Sequence, residues 1–347
     1  FLLMGSGAST PPPDGLEQAI SAASDVELRA YLKKLAPAER TRIHSLTAPP
    51  SATSREKKKV SVMGKKMAYV DAGAGEDVMV FVHGNPTSSY MWRNVLPYCE
   101  TLGCRIVAPD LIGMGDSDKL DPSEEGGESR YSLTKQCEYL GGFLEALEIR
   151  SNVIFVVHSW GATLASHWAA SHSDAVKGIV FMECSWSPFD SSTMPPQLLG
   201  FVQAIRSEAG EAMILAKNMM LETAIRGGTI RNVDDATLDN YRRPFLDDGE
   251  ARRAMLSFAR SIPVDDGPEE TLRMMESGSS WLSASDLPKL LVVGDPGSSM
   301  TEEERLRVTK WSNVTEVKVE GKHLLTEDSP DEIGAAISSW YEGSFPR

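Results

Sequence analysis

The stretch Val153-Ile154-Phe155-Val156-Val157-His158-Ser159-Trp160-Gly161-Ala162 decides the fold. Its first five residues are apolar, and they lead into a polar pair and then into small residues. A continuous apolar run of this length is typical of a strand that is covered on both faces. A strand that passes into a helix within so few residues exposes the residue at the bend. We therefore predict that Ser159 projects from the end of a buried strand, although an ordinary strand–turn–helix junction would show the same pattern.

Strand-like and helix-like segments alternate on both sides of this junction. Residues 60–62 and 67–70 are expected to form a hairpin around Gly64. Apolar residues at helical spacing occur in 131–147, 304–311 and 331–340. A further helix is expected to follow Ser159 and to end at about residue 172. Such alternation favours a mostly parallel sheet with helices on both faces. The other expected strands are 78–82, 105–108, 153–157, 178–182, 289–293 and 315–319.

The alternation stops between residues 185 and 282, where amphipathic helical stretches such as 198–216 and 250–260 follow one another without a convincing strand. We interpret this part as a helical cap inserted over one end of the sheet. The predicted fold class is α/β, with an α/β-hydrolase fold: a mostly parallel central sheet flanked by helices, with an inserted helical cap. The core would comprise 55–184 and 283–347, and the cap 185–282.

Residues 1–54 differ in composition and are predicted to form a helical extension and linker. Ser24-Asp25-Val26-Glu27 has the form of a helix capping box, and an apolar stripe at helical spacing follows it. Such a stripe usually packs on its own domain, so a protein partner that binds through 1–54 is the less common alternative. Phe1-Leu2-Leu3-Met4 is too short for the core of a signal sequence, so organelle targeting would require a segment that has been removed.

The composition excludes several classes of function. The chain has 347 residues, a net charge of −14 and a pI near 5.0, which argues against nucleic acid as the main partner. The sequence contains no run of about 18 or more apolar residues, so no membrane span is predicted. Its four cysteines fit neither a zinc site nor a disulfide framework, so we expect free thiols in a reducing, intracellular compartment. No metal site, dinucleotide fingerprint or phosphate loop is recognisable, so no cofactor is expected.

Ligands of open α/β sheets bind outside the carboxyl ends of the strands. A nucleophile, carboxylates and one histidine occur there in the chain order serine, acid, histidine, which is the order expected of this fold. His323 follows the last strand and precedes the final helix, which makes it the best candidate for a base among six histidines. The residues at the strand ends are Asn85, Asp110, Ser159, Trp160, Glu183, Asp295 and His323.

Four further segments carry a resemblance to a known family. The chain resembles the haloalkane dehalogenases, in the branch that also includes the coelenterazine-type luciferases, from about residue 55 to 345. The segments are His83-Gly84-Asn85-Pro86-Thr87-Ser88-Ser89-Tyr90-Met91-Trp92-Arg93, Asp110-Leu111-Ile112-Gly113-Met114-Gly115-Asp116-Ser117, Tyr241-Arg242-Arg243-Pro244-Phe245 and His323-Leu324-Leu325-Thr326-Glu327-Asp328-Ser329-Pro330.

The resemblance implies a role for each matching residue. The side chains of Asn85 and Trp160 would hold a halide ion, and their backbone N–H groups would form the oxyanion hole. His323 would activate water, and Glu183 would orient His323. Asp295 is the alternative acid, although its loop resembles a structural one. The substrate is expected to be a small hydrophobic molecule in an apolar pocket under the cap. The expected lining residues are Trp186, Phe189, Met194 and Phe201.

Ser159 departs from the family, which has an aspartate at this position. A carboxylate that displaces halide becomes an alkyl ester, whose carbonyl carbon water can attack. A serine hydroxyl would form an alkyl ether, which has no carbonyl, and turnover would stop. Serine beside a histidine–glutamate pair suits acyl transfer, because its ester intermediate can be hydrolysed.

Three interpretations of the function remain open at this point. The first is a serine-dependent hydrolase of a small hydrophobic ester, acting through an acyl-enzyme. The second is a haloalkane dehalogenase whose nucleophilic aspartate is replaced by Ser159, which impairs or abolishes its activity. The third is a non-catalytic binding or assembly protein. A coelenterazine-oxidising activity is disfavoured, because the aspartate expected for it is missing.

Overall fold

The computed structural model of the chain describes residues 55–123 and 127–346. The interpretation of residues 1–54 as a helical extension lies outside the described residues. Within these ranges, eight strands form one sheet in the order β1-β2-β4-β3-β5-β6-β7-β8. The strands are β1 (Lys58–Val62), β2 (Lys65–Gly73), β3 (Val78–Val82), β4 (Arg105–Pro109), β5 (Val153–His158), β6 (Val176–Met182), β7 (Lys289–Pro296) and β8 (Val314–Gly321).

The first two strands are antiparallel, and the rest of the sheet is parallel. β1 pairs with β2 and β2 with β4 in antiparallel register, whereas β3 lies between β4 and β5 with parallel pairing to both. β5, β6, β7 and β8 continue the sheet in parallel. All residues of β3 and β5 are buried, as their continuous apolar runs predict. The predicted α/β-hydrolase sheet is confirmed, including the hairpin around Gly64.

Helices flank the sheet and fill the interval between β6 and β7. The α-helices are α1 (Leu96–Glu100), α2 (Leu133–Ala146), α3 (Trp160–Ser171), α4 (Pro196–Arg206), α5 (Ala209–Glu211), α6 (Met219–Gly227), α7 (Asp235–Arg242), α8 (Arg253–Arg260), α9 (Glu269–Ala284), α10 (Glu302–Val308), α11 (Leu325–Asp328) and α12 (Pro330–Ser344). A π-helix covers Ala212–Ala216, and 3₁₀ turns cover Ser89–Trp92, Gly127–Tyr131, Ser173–Ala175, Arg243–Phe245 and Gly249–Arg252.

The predicted helical stretch 198–216 is divided in the structure. α4 ends at Arg206, and Ser207 adopts an extended backbone with ψ of 178°. The Ser207 hydroxyl then accepts a hydrogen bond from the N–H of Ala209 at 3.2 Å, which begins the next helical segment. This local alternative to the helical hydrogen bond is typical of serine, so the helix is interrupted although the apolar spacing continues.

α9 packs against α3 on the flank of the sheet, although it comes from the end of the predicted cap. A Cβ atom at Gly278 would lie 2.1 Å from the Ser166 hydroxyl, so the two helices approach as closely as a glycine allows. Met255 and Phe258 of α8 instead contact Asn85, in the loop after β3, and Trp160, the first residue of α3. The boundaries of the cap at 184/185 and 282/283 stay predictions.

The core is continuous across the sheet and its helices. Phe81, Phe155 and Phe181 lie at its centre on three adjacent strands, with no exposed surface. All four cysteines are free thiols. Burial raises the pKa of the Cys137 thiol to about 12. Over the described residues, no helix is both long enough and apolar enough to cross a membrane.

Candidate active site

Ser159 occupies a strained bend between β5 and α3. Its φ of 53° and ψ of −125° lie outside the regions that residues with a side chain commonly adopt. Its N–H donates to the carbonyl oxygen of Met182 at 3.2 Å, which anchors the bend to β6. Strain of this kind persists only where the surrounding structure imposes it, and it is common at catalytic positions. The structure therefore places the Ser159 side chain at the bend that the sequence predicts.

Glycine is required on the helix side of this bend, not on the strand side. A Cβ atom at Gly161 would lie 2.2 Å from the carbonyl oxygen of Val82, a contact that the backbone of β3 prevents. Val157 is instead a fully buried residue of β5, in register with Val82 and Phe181 on the neighbouring strands. In α/β-hydrolases such a bend is called the nucleophile elbow, and its G-x-S-x-G motif has a glycine at the position of Val157. The valine found here is accommodated within the sheet.

A second glycine gives the Ser159 side chain its space. A Cβ atom at Gly84 would lie 2.7 Å from Ser159 Cβ and 3.0 Å from Ser159 Oγ. Gly84 follows β3, the strand next to β5. Any larger residue at this position would displace the hydroxyl from its present place.

The structure brings together Glu183 and His323. The Nδ1 atom of His323 lies 3.4 Å from Glu183 Oε2, and the glutamate side chain is only 3% exposed. Glu183 follows β6 with a φ of 46°, a left-handed conformation that turns the chain out of the strand. Asp295, the alternative acid, is exposed near the end of β7 and in register with Glu320. Glu183 is therefore the carboxylate beside the histidine.

Sequence reasoning missed Ser299, which contacts both of these residues. Its hydroxyl oxygen lies 2.9 Å from His323 Nδ1, and its N–H donates to Glu183 Oε2 at 3.0 Å. Ser299 belongs to the loop after β7, where Gly297-Ser298-Ser299-Met300 has neither periodicity nor a motif. Its position after a strand of the parallel sheet was the only available signal.

Two buried histidines support the loops around the site. The ring of His158 lies 4.7 Å from the ring of His323, and its Nε2 lies 2.6 Å from the His323 carbonyl oxygen. Burial lowers the pKa of His158 well below its usual range, and burial lowers the pKa of His83 to about 4. A neutral His83 can accept the N–H of Leu111 at Nε2 across 2.9 Å. Both side chains hold backbone groups in place as neutral imidazoles.

Asn85 and Trp160 lie beside cap helix α8. The Asn85 side chain is buried, and its Nδ2 donates to the carbonyl oxygen of Met255 at 3.1 Å. The Trp160 ring is half-buried, with its centroid 6.0 Å from that of Phe258. Trp160 is the first residue of α3, and the first N–H groups of a helix lack intrahelical acceptors. A developing negative charge at this end of α3 would be stabilised by these dipoles.

A buried ion pair ties the loop after β3 to the helix after His323. Arg93 donates to both carboxylate oxygens of Glu327, at 2.6 and 2.7 Å, and the Tyr241 hydroxyl donates to the same carboxylate at 2.5 Å. The guanidinium also lies over the Tyr90 ring, 4.1 Å from its centroid. Bidentate pairs of this kind fix geometry as well as charge.

The remaining predictions concern structural residues, the pocket and metals. Asp110 accepts the backbone N–H groups of Ser89 and Asp116 at 2.8 and 2.7 Å, in keeping with a structural role.

Trp186 packs on Phe181 and Trp311 in the core, with ring centroids 5.7 and 6.1 Å away. Phe189 and Met194 belong to a small separate apolar cluster, with Val202 and Val264. Nowhere in 55–123 or 127–346 do three or more histidine, cysteine or acidic side chains form a group that could hold a metal ion.

Comparison with known proteins identifies the family. The family model described as the alpha/beta hydrolase fold matches residues 77–219. A haloalkane dehalogenase of Sphingobium indicum is 44% identical over 82% of this chain and 95% of its own length. A haloalkane dehalogenase of Mycolicibacterium smegmatis is 42% identical over 80% of this chain and 88% of its own. The coelenterazine h 2-monooxygenase of Renilla reniformis is 36% identical over 82% and 90%.

Solved structures of haloalkane dehalogenases are also similar to this chain. The crystal structure of haloalkane dehalogenase DbeA from Bradyrhizobium elkani matches with a TM-score of 0.78 and 32% identity, over 83% of this chain and 98% of that one. The structure of haloalkane dehalogenase DatA from Agrobacterium tumefaciens gives 0.77 and 29%, over 83% and 97%. An identity of 44% over most of both chains cannot arise from a shared fold alone. The chain therefore belongs to the haloalkane dehalogenase family of α/β-hydrolases.

Proposed function

We propose that this hydrolase of the haloalkane dehalogenase type cleaves a small hydrophobic carboxylic ester through an acyl-enzyme on Ser159. The observation that carries the proposal is the hydroxyl-bearing residue at the strained bend, with φ of 53°, in a protein that also holds a histidine against a buried carboxylate. Nucleophile, base and orienting acid are the three parts that acyl transfer needs.

The steps follow from the chemistry of these groups. Ser159 Oγ forms a bond to the acyl carbon while its proton passes to His323. The alcohol leaves with that proton, and water then attacks the acyl carbon to release the acid and restore Ser159. The N–H groups at the start of α3 are suited to the oxyanion of each tetrahedral intermediate. Glu183, buried beside His323, stabilises the imidazolium that forms in each step.

Dehalogenation is the second candidate, favoured by the 44% identity to a haloalkane dehalogenase. In that case Ser159 replaces the nucleophilic carboxylate, and a halide would be held at Asn85 and Trp160. Displacement of halide by the Ser159 hydroxyl, whose proton would pass to His323, forms an alkyl ether and releases one halide ion per chain. The reaction would end there, because the ether lacks a carbonyl for water to attack.

The test measures ester hydrolysis and halide release in parallel on the chain, on Ser159→Ala and on Ser159→Asp. The proposal predicts turnover of short acyl esters by the chain, loss of that turnover in Ser159→Ala, and no catalytic halide release by the chain. Halide release by Ser159→Asp, together with an absence of ester turnover in the chain, would favour the second candidate. Equal ester turnover in the chain and in Ser159→Ala would contradict the proposal.

A further inference from the structure

Ser299 is the nearest described side-chain partner of the candidate base. Its hydroxyl oxygen lies 2.9 Å from His323 Nδ1, whereas the carboxylate oxygen of Glu183 lies 3.4 Å from the same atom. A separation of 2.9 Å is the usual length of a nitrogen–oxygen hydrogen bond, and 3.4 Å is beyond it. The direct hydrogen bond of the imidazole is therefore to the serine, and the glutamate acts on it mainly through its charge.

Two backbone hydrogen bonds hold the loop that carries Ser299, one to Glu183 and one to the segment before His323. The Ser299 N–H donates to Glu183 Oε2 at 3.0 Å, and the Gly297 N–H donates to the carbonyl oxygen of Gly321 at 2.9 Å. Gly297 has a φ of 66°, and a Cβ atom there would lie 3.1 Å from Glu183 Oε1. The loop thus joins the carboxylate to the segment that leads into His323.

We propose that Ser299 is a positioning residue that acts together with Glu183 to keep His323 in its active tautomer, because its hydroxyl is the direct hydrogen-bond partner of Nδ1. This inference rests on the proposed ester hydrolysis, in which His323 acts as the base. The carboxylate of Glu183 favours a proton on the nearer ring nitrogen, Nδ1, so the imidazole donates there and Ser299 Oγ accepts. Nε2 is then unprotonated and able to take the proton of the nucleophile. The same serine oxygen also stabilises the imidazolium once the proton has been transferred.

The test compares Ser299→Ala with Ser299→Thr, which keeps the hydroxyl. Nitrogen-15 NMR of the imidazole, assigned by the signals that vanish in His323→Gln, reports the tautomer of His323 without any turnover. In the chain and in Ser299→Thr we expect the tautomer protonated at Nδ1. In Ser299→Ala we expect a mixture of tautomers and a loss of ester kcat/KM on the order of 10-fold.

The two readouts separate this inference from the proposed function. A changed tautomer in Ser299→Ala without ester turnover in the chain would contradict the ester hydrolase and support the role of Ser299. An unchanged tautomer of His323 in Ser299→Ala would overturn the inference, even if the chain hydrolyses esters. The inference would also be overturned if Ser299→Thr lost as much ester kcat/KM as Ser299→Ala while the tautomer of His323 stayed unaltered in both.

Discussion

The side-chain amide of Asn85 donates a hydrogen bond to the carbonyl oxygen of Met255 across 3.1 Å, and so joins the loop after β3 to helix α8 of the cap. One amide N–H of this residue is thereby used to hold the cap. Asn85 Oδ1 is buried and has no hydrogen-bond partner in the part of the chain that the structure describes. The asparagine that the family resemblance assigns to halide binding thus also has a structural contact.

Substitution of Asn85 tests this contact. We expect Asn85→Ala to lower the free energy of unfolding by about 1–3 kcal/mol, because the Met255 carbonyl loses its donor. Asn85→Asp keeps the size of the side chain but directs an oxygen at that carbonyl, so its loss should be larger. Urea denaturation measures both. An aspartate variant as stable as the chain would show that Asn85 does not donate to Met255.

The space beside Ser159 gives a prediction about Gly84. Gly84→Ala would place a methyl group 2.7 Å from Ser159 Cβ, so the hydroxyl must move. We expect ester kcat/KM to fall by about 100-fold or more, because a displacement near 1 Å at a reacting atom has an effect of that order.

Gly200→Ala is the matched control for this substitution. Gly200 lies in α4, and nothing lies within 4 Å of a Cβ atom there. The control should keep its activity and gain about 0.5–1 kcal/mol of stability, because alanine favours a helix. Full activity of Gly84→Ala would show that the site tolerates a shifted Ser159.

Removal of a charge from the buried pair of Arg93 and Glu327 should lower stability more than removal of a charge from an exposed ion pair. The two side chains are 8% and 7% exposed, so Arg93→Ala leaves a carboxylate buried without its cation. We expect a loss of about 3–5 kcal/mol, measured by chemical denaturation. Arg93→Lys should lose less, because it keeps the charge but not the bidentate contact.

A surface pair provides the control for this prediction. Arg273 and Glu269 are 68% and 82% exposed, and removal of that pair should change stability by less than about 0.5 kcal/mol. Similar losses of stability from Arg93→Ala and Arg273→Ala would mean that burial does not determine the strength of the Arg93 contact.

The pH dependence of stability should reflect Glu250. The hydrogen bond from Arg253, together with Arg130, lowers the pKa of Glu250 from 4.5 to about 2. A lowered pKa stabilises the folded state above the unfolded-state pKa, and this contribution is lost as pH falls through about 2. The carboxylate is 37% exposed, so solvent screening limits the contribution to about 1 kcal/mol.

Glu250→Gln should therefore be less stable than the chain at pH 7, and the difference should shrink as pH falls through about 2. Thermal unfolding of both proteins between pH 7 and pH 2 measures the difference. A difference that persists unchanged at low pH would show that it arises from packing and not from the charge of Glu250.

The sheet and the elbow could be predicted because their signals are local. Continuous apolar runs mark β3 and β5, and the elbow needs only the residues from Val157 to Gly161. Glu183 and His323 could be selected because each follows a strand of the parallel sheet. The choice between Glu183 and Asp295 depended on the family resemblance, since both follow predicted strands and only the fold shows which one meets the histidine.

The rest of the site depends on contacts between distant segments. Ser299 lies 24 residues before His323, in a loop without a pattern, and its role arises where the β7 and β8 loops meet. The contact between Asn85 and Met255 spans 170 positions of the chain. Trp186 illustrates the opposite case, since it was expected to line an apolar pocket under the cap, whereas its ring packs on Phe181 and Trp311 in the core.

Covalent labelling tests directly whether the hydroxyl of Ser159 is an activated nucleophile. The folded chain is treated with a fluorophosphonate, and its intact mass and peptide masses are compared with those of Ser159→Ala and of the heat-unfolded chain. The account predicts one adduct per folded chain, on the peptide that contains Ser159, and no adduct in either control. A folded chain that gains no adduct, or an adduct that persists in Ser159→Ala, would contradict the account.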